Sequence, residues 1–336
     1  MSQIVLNGKT LLHDLQCLVE INGKCYDKGC DKIQFEHQIE NRGNYIWLKA
    51  KATNVSNETF QLGGFHFKQT GIHEDALAID GKNLRLYKEG WTMASPAASV
   101  RYNECDFDCN PEYVRFAHSN AAEHEEAKPN KICAEHTVVI NDAQSGRSVL
   151  AGFISSADQL GQFIVELSAQ GVSRFEAVAN CDNIDFAPGD TVESEELVML
   201  SGGDAYTLLE EFATLWGERM HALSWDHTPT GWCSWYYYFD KITEKDMLEN
   251  IEFLRTHKDQ FPVEYIQLDD GYQHALGDWL RCNEKFPHGL QFLAAEVKKS
   301  GFTPGLWVAP FMVEERSDLY QKHPDWMVKN AKGETV

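Results

Sequence analysis

The sequence predicts a chain of two domains, an antiparallel β-sandwich followed by strands and helices that alternate and build a parallel sheet. Short β-rich runs separated by turn residues occupy roughly residues 1 to 200, with no helical pattern between them. After residue 227, apolar runs of strand length alternate with segments of helical periodicity. A chain of 336 residues is long enough for each domain to bury its own core.

The first domain is predicted from strands, turns and one closing helix. Four runs rich in β-branched and aromatic residues are candidate strands, and turn residues separate them: residues 45–52, 137–140, 148–154 and 163–167, with turns at Asn41-Arg-Gly-Asn, Ser145-Gly and Pro188-Gly-Asp. Over residues 205–223, apolar side chains recur at helical spacing. This helix is predicted to connect the halves, which places the first domain at residues 1–225.

The second domain, residues 226–336, is predicted to contain three strands, at 230–235, 263–268 and 303–309. Thr243 is a plausible N-cap for a first helix, with Asp246 three residues later and an apolar face after it. A second helix carries Leu290, Leu293, Ala294 and Val297 on one face and ends before Gly301. The spacing between strands suits right-handed βαβ units, and both a (β/α)8 barrel and a doubly wound sheet fit it.

Charge limits the classes of partner that the chain can bind. The chain has 30 basic and 51 acidic residues, a formal charge of −21. Nucleic acid and anionic membranes would be repelled, and no basic cluster interrupts the acidic background. A neutral small molecule is compatible with this surface, and the sequence leaves a homo-oligomer open.

The sequence gives no sign of a membrane segment, a metal or a cofactor. It has no signal peptide and no run of about 18 apolar residues. The nine cysteines lack the spacing of a zinc knuckle, and no glycine-rich phosphate loop accompanies the strands. We therefore expect a cytoplasmic protein with reduced thiols, no bound metal and no cofactor.

Candidate binding residues follow the predicted strands of the second domain. If these strands form a barrel, functional side chains lie at their carboxyl ends. The candidates there are Trp235 and Tyr236 after the first strand, Asp269 and Asp270 after the second, and Trp307 near the end of the third. Rings that pack on the apolar face of a sugar, beside carboxylates that accept from its hydroxyls, suit carbohydrate binding.

Several of these residues also have a purely structural interpretation. Adjacent acidic residues in a loop are usually solvated or cap a helix, and aromatic residues in strands are usually core. Trp279, in Gly277-Asp-Trp, is either an anchor for its loop or a platform for a sugar ring.

Six motifs in order resemble glycoside hydrolase family 36, the α-galactosidases and their raffinose-synthase-like relatives. They lie within residues 229–327 and read Gly231-Trp-Cys-Ser-Trp-Tyr, Ile266-Gln-Leu-Asp-Asp-Gly-Tyr-Gln, Gly277-Asp-Trp, Phe286-Pro-His-Gly-Leu, Gly305-Leu-Trp-Val-Ala-Pro-Phe and His323-Pro-Asp-Trp. The first 225 residues are similar to that family's N-terminal β-supersandwich only in their run of strands. The resemblance implies that residues 226–336 are the opening part of a (β/α)8 TIM barrel, incomplete after its third strand.

The resemblance also implies a retaining mechanism with two aspartates about 5 Å apart. In the family the nucleophile follows the fourth barrel strand, so both catalytic aspartates are expected beyond residue 336 and none in this chain. Asp269 and Asp270 match the pair that holds the O4 and O6 hydroxyls of galactose, with Trp235, Trp279 and Trp307 as further substrate-binding residues. The chain alone is therefore expected to be inactive.

Three functions are compatible with these expectations. The first is hydrolysis of terminal α-galactosyl residues of oligosaccharides by the parent protein. The second is α-galactosyl transfer, as in the raffinose-synthase-like relatives, in which a sugar acceptor replaces water. The third is a carbohydrate-binding protein without catalysis.

Overall fold

The computed structural model describes residues 4–6, 9–12, 15–70, 80–90, 97–106, 128–330 and 332–335. The chain divides into two compact units, Met1–Leu223 and Ser224–Val336. No helix within the described ranges has both the length and the apolar character needed to cross a membrane.

The first unit is built from antiparallel strands. In chain order the strands are β1 (Ile4–Leu6), β2 (Lys9–Leu12), β3 (Gln16–Ile21), β4 (Lys24–Tyr26), β5 (Ile33–Asn41), β6 (Tyr45–Asn54), β7 (Phe60–Thr70), β8 (Leu84–Lys88), β9 (Ala98–Arg101), β10 (Lys131–Glu135), β11 (Thr137–Asp142), β12 (Ser148–Phe153), β13 (Leu160–Ser168), β14 (Gly171–Phe186), β15 (Thr191–Glu193) and β16 (Leu197–Ser201). One sheet has six strands in the order β10-β13-β14-β7-β3-β4. The other runs β15-β6-β16-β12-β11-β8-β9, with β5 also paired to β6.

The two sheets enclose the core of the first unit. Alternate residues of the six-stranded sheet, such as Phe65, Phe67 and Phe175, are fully buried. They share one apolar cluster with residues of the other sheet, including Leu48 and Val138. The predicted antiparallel sandwich is confirmed, and the four candidate strands lie in or overlap β6, β11, β12 and β13.

The helix predicted at the end of this unit forms as α1 (Ala205–Met220). The Asp204 side chain caps it by accepting from two backbone N–H groups, and the helix ends at His221, which has a φ of 54°. The predicted helix, residues 205–223, is therefore three residues too long. Its buried Phe212 lies over Gly152 of β12, where an added Cβ would be 2.4 Å from the Phe212 ring.

The second unit alternates strands and helices. Its elements are β17 (Gly231–Cys233), α2 (Trp235–Tyr238), α3 (Glu244–Thr256), β18 (Tyr265–Leu268), α4 (Gly289–Lys299), β19 (Thr303–Leu306) and α5 (Asp318–Lys322), with 3-10 turns at Phe239–Lys241 and Pro324–Trp326. The three strands form a parallel sheet in the order β17-β18-β19. A capping box between Thr243 and Asp246 opens α3, as the sequence predicts.

The strands of this sheet are shorter than the predicted runs. The predicted strand 230–235 ends at Cys233 because Ser234 adopts helical angles and Trp235 begins α2. The run 263–268 becomes a strand only at Tyr265, and the run 303–309 stops at Leu306. Strand pairing therefore ends just before the candidate binding residues.

Helices α3 and α4 share one apolar core with the sheet. Met247, Ile251 and Leu254 of α3 belong to one buried cluster with Leu293 and Val297 of α4. The same cluster contains Ile266 and Leu268 of β18. The central strand β18 is therefore held in place, which fixes the position of the residues that follow it.

Candidate functional site

The carboxyl ends of β17, β18 and β19 are tied together by hydrogen bonds. The Ser234 hydroxyl accepts from the backbone N–H of Asp269 at 2.9 Å, which joins the ends of β17 and β18. The backbone N–H of Trp307 donates to the carbonyl of Leu268 at 2.9 Å, which joins β18 and β19. Binding sites of parallel α/β sheets lie at this edge.

Asp269 is buried, and three groups of the chain orient its carboxylate. Oδ2 accepts from Gln267 Nε2 at 2.7 Å and from the Cys233 thiol at 3.2 Å, and Oδ1 accepts from the backbone N–H of Asp270 at 2.9 Å. Gln267 precedes Asp269 by two positions, so strand alternation puts both side chains on one face. Cys233 is the register partner of Gln267 on β17.

The thiol of Cys233 is suited to its role as a donor. Burial raises the pKa of this thiol, and the hydrogen bond to Asp269 raises it further, although a backbone hydrogen bond opposes the change. The thiol therefore stays protonated at neutral pH and donates to the carboxylate. Oδ1 of Asp269, which accepts a single bond from the chain, keeps acceptor capacity for a ligand hydroxyl.

Asp270 is half-buried and is oriented by Gln273. Gln273 Nε2 donates to Asp270 Oδ1 at 2.5 Å, while Gln273 Oε1 accepts from the backbone N–H of Gly271 at 3.1 Å. Gly271 has a φ of +112°, and an added Cβ would lie 2.5 Å from the carbonyl oxygen of Asp240. Only glycine fits this position, so the turn that places Asp270 depends on it.

Two tryptophan rings, one of them directly after β19, contact each other. The rings of Trp279 and Trp307 are in edge-to-face contact, with centroids 5.8 Å apart and planes at 80°. The carbonyl of Trp307 accepts from the Tyr272 hydroxyl at 3.2 Å. Tyr272 is fully buried, and burial raises its pKa to about 12, so this hydroxyl remains a donor.

The loop that carries Trp279 is anchored to α5. The Asp278 carboxylate accepts from the backbone N–H groups of Asp318 and Leu319, at 3.0 and 3.3 Å. Trp279 itself is partly buried and packs against the core of the second unit. This packing gives Trp279 a structural role, in which its ring also contacts Trp307 edge to face.

Trp235 starts α2, directly after Ser234. Its ring is partly buried and contacts Phe239 edge-on at 5.3 Å. Tyr236, the next residue, is 86% exposed. A hydrogen bond joins Asp269 to Asp270, and a ring contact joins Trp279 to Trp307. The backbone bond from Trp307 to Leu268 links the two pairs, and Trp235 adjoins Asp269 through Ser234.

Four residues that orient the aspartates were not among the sequence candidates: Cys233, Ser234, Gln267 and Gln273. Alternation along a strand could have identified Gln267, which lies two positions before Asp269. Cys233 required the register of β17 against β18, which the sequence does not show. The contact of Gln273 depends on the turn at Gly271.

Sequence comparisons identify relatives of part of the chain. Residues 226–335 match the family model described as Melibiase. The Geobacillus stearothermophilus alpha-galactosidase AgaA is 30% identical over 209 residues, which are 55% of this chain and 26% of that protein. An Escherichia coli alpha-galactosidase is 40% identical over 73 residues, 20% of this chain and 10% of that protein.

Solved structures share the fold along most of the chain. The Thermus thermophilus alpha-galactosidase TtGalA, in complex with p-nitrophenyl α-D-galactopyranoside, matches with a TM-score of 0.61 and 21% identity, over 96% of this chain and 55% of that chain. The GH36 alpha-galactosidase AgaA of G. stearothermophilus matches with a TM-score of 0.57 and 19% identity, over 89% of this chain and 41% of that chain. The chain thus covers about half of these relatives or less. Over part of its length, the chain is a relative of the α-galactosidases of glycoside hydrolase family 36.

Proposed function

We propose that the protein to which this chain belongs hydrolyses terminal α-galactosides of oligosaccharides. The galactose would be recognised by Asp269, Asp270, Trp279 and Trp307, which we call the strand-end site. The observation that carries this proposal is the placement of Asp269 and Asp270 at the carboxyl end of β18, where the paired strand β19 leads directly into Trp307. The relatives of this region are glycosidases, and structures among them contain p-nitrophenyl α-galactoside, stachyose or raffinose.

The architecture proposed for this function is a β-supersandwich domain, residues 1–225, followed by the first strands of a (β/α)8 barrel in residues 226–336. The parallel order β17-β18-β19 with intervening helices supports the second part. A match to α-galactosidase structures over 96% of the chain supports the combination of both parts.

In this proposal Asp269 and Asp270 bind two different hydroxyls of one sugar. Both are held by chain donors and retain acceptor sites, and a carboxylate forms strong hydrogen bonds with hydroxyl donors. Trp307 and Trp279 offer ring surface to the apolar face of the sugar, with Trp235 at the end of the neighbouring strand.

The carboxylates that cleave the glycosidic bond are proposed to be other residues than these two. In a retaining glycosidase the two catalytic carboxyl groups flank the glycosidic bond and lie about 5 Å apart. Asp269 and Asp270 are consecutive residues on one turn, and Asp269 is buried and already accepts from three groups. Recognition fits this arrangement better than nucleophilic attack does.

Binding and turnover can be measured separately on the purified chain. Titration with galactose should change the tryptophan fluorescence of the chain to a saturating value, and glucose should bind more weakly. In Asp270→Asn the preference for galactose over glucose should be lost. Hydrolysis of p-nitrophenyl α-galactoside by this chain should be absent, because neither aspartate is a nucleophile. Turnover that is lost in Asp269→Asn would instead make this residue catalytic, and equal binding of both sugars would contradict the recognition site.

A further inference from the structure

Outside the strand-end site, the outer face of the six-stranded sheet carries a cluster of potential metal ligands. Glu20, Cys25 and His66 each present one ligand atom, and these atoms lie within 4.8 Å of one another. Glu20 and His66 line a polar cavity of about 370 Å³, whose lining also includes Glu176 and Arg174. Their positions in the sequence form no metal-binding pattern, so only the sheet brings them together.

The register of three strands creates this cluster. Glu20 of β3 and Cys25 of β4 are direct cross-strand partners, because a turn at Asn22 and Gly23 with positive φ angles joins the two strands. His66 lies on β7, which pairs with the other edge of β3. Side chains directly opposite or diagonal on one sheet face are within contact distance.

A glycine makes room for the Glu20 carboxylate. At Gly63, an added Cβ would lie 2.6 Å from Glu20 Cδ and 2.8 Å from its Oε2. The register of β3 against β7 shifts at this place, between Glu20 and Ile21. The register shift between β3 and β7 and the absence of a side chain at Gly63 together let the Glu20 carboxylate approach His66.

His66 contacts a carboxylate with each ring nitrogen. Nε2 lies 3.0 Å from Glu20 Oε2, and Nδ1 lies 2.9 Å from Glu176 Oε1. The ring is 12% exposed. A neutral imidazole donates from only one nitrogen, so the second carboxylate must be matched by an added proton or by a metal ion.

The thiol at the cluster favours a metal. If a proton on His66 balanced the two carboxylates, no third group would be needed next to Glu20. Cys25 is present there, and its sulfur is a soft ligand for a metal ion. Glu176 is held by Arg174, at 2.5 Å, and accepts from Nδ1, which is the carboxylate–histidine arrangement that orients a histidine ligand. A divalent ion would neutralise the Glu20 carboxylate and a Cys25 thiolate.

We propose that Glu20, Cys25 and His66 bind one Zn²⁺ ion, with water as fourth ligand and Glu176 as the partner that positions His66. Tetrahedral zinc with nitrogen, oxygen and sulfur ligands separates neighbouring ligand atoms by about 3.5 Å. The Glu20 and His66 atoms are already at 3.0 Å, and the sulfur of the exposed Cys25 lies within 4.8 Å of both. Since β4 is the edge strand of its sheet, the ion would fasten this edge to β7.

Zinc titration of the metal-free full chain tests the proposal. Calorimetry should show one equivalent of Zn²⁺ bound by the wild type, and Cys25→Ser or His66→Ala should weaken this binding about tenfold or more. Cys30→Ser, which removes another exposed thiol close in sequence, is the matched control and should bind like the wild type. Because Cys25 is exposed, its variant should melt like the wild type without zinc.

A spectroscopic measurement identifies the ligand directly. The Co²⁺-loaded chain should show a thiolate-to-cobalt charge-transfer band that is present in Cys30→Ser and missing in Cys25→Ser. Zinc should raise the melting temperature of the wild type and of Cys30→Ser, and not that of His66→Ala. A wild type that binds no zinc, or a Cys25→Ser variant that keeps both the affinity and the band, would overturn the site.

Discussion

At the scale of single residues, the strand-end site shows how one buried carboxylate is prepared for a ligand. Asp269 follows a central strand directly, which the sequence predicts from the apolar run before it. Of the side-chain donors around it, alternation along the strand could have identified Gln267, whereas the Cys233 thiol depends on the register of β17 against β18. The sequence therefore predicts the acids, but only some of the groups that orient them.

Replacing either aspartate tests recognition in the protein that carries this chain. Losing one charged hydrogen bond costs about 1.5–3 kcal/mol, so Asp269→Asn and Asp270→Asn should each lower kcat/KM on an α-galactoside by roughly ten- to a hundredfold. The preference for galactoside over glucoside should also fall. Asp259→Asn, an exposed acid after α3, is the control. Unchanged rate and preference in both site variants would make Asp269 and Asp270 structural acids.

A second residue-scale prediction concerns His136, which packs on Trp216 with ring centroids 4.1 Å apart. Its Nε2 is buried and has no hydrogen-bond partner among the described residues. Burial lowers its pKa to about 4, although Glu195 opposes this change. Between the folded value and the ordinary value of 6.5, the unfolded chain binds more protons than the native chain, so stability falls as pH falls through this window.

The expected size of this effect is at most about 3 kcal/mol between pH 7 and pH 4. His136→Asn cannot titrate in this window and tolerates the positive φ of 64° at this position. The difference in melting temperature between the wild type and His136→Asn should therefore be smaller at pH 4.5 than at pH 7. The reason is that the wild type loses more stability than the variant as the pH falls. Parallel pH profiles would show that His136 does not drive the acid sensitivity.

At the scale of elements, the periodic patterns predict helices better than strand ends. The capping box of α3 and the apolar faces of α1, α3 and α4 could be predicted from the sequence, because residues close together in the chain determine them. The ends of β17 and β19 were not, because a strand stops where its neighbour stops pairing. Residues 234 and 307 look like strand residues in the sequence and lie beyond the strands in the structure.

The packing of α1 on β12 gives an element-scale prediction. Gly152→Ala should destabilise the first unit by about 1–3 kcal/mol, because the new methyl group would overlap the Phe212 ring. Gly217→Ala is the matched control within α1: its Cβ would have its nearest neighbour at 3.8 Å, and alanine favours helix by up to about 1 kcal/mol. Thermal melting should shift down in the first variant and up or not at all in the second. A lower melting temperature for Gly217→Ala alone would contradict this packing.

At the scale of the whole molecule, the chain divides into two compact units between Leu223 and Ser224. The change in sequence pattern predicts two domains with a boundary at 225/226, and the helix before this boundary is present as α1. The sequence did not reveal the order of strands within the sandwich, because pairs such as β7 with β14 are more than a hundred residues apart. Long-range pairing leaves little trace in local patterns.

Limited proteolysis of the full chain tests whether the units are independent. Residues 221–230 are all exposed and lie outside regular structure, and Leu223 and Trp225 are 90% and 66% exposed. Chymotrypsin should cut at these two residues and leave a stable piece that ends there, as mass spectrometry would show. Replacing both by serine should slow this cut selectively. First cleavage inside β10–β14 would show that the first unit does not persist as a folded body.

The strand order of the six-stranded sheet also has a kinetic consequence. β7 is central, and its partner β14 begins at Gly171, so one side of β7 stays unpaired until more than a hundred further residues have been synthesised. Closing so long a loop precedes any gain from the contact, which makes such topologies slow to fold. During this interval the nascent chain presents an open strand edge next to apolar residues such as Phe65 and Phe67. We expect refolding of the first unit to be slow, and its yield to fall with rising protein concentration as unfinished sheets pair between molecules.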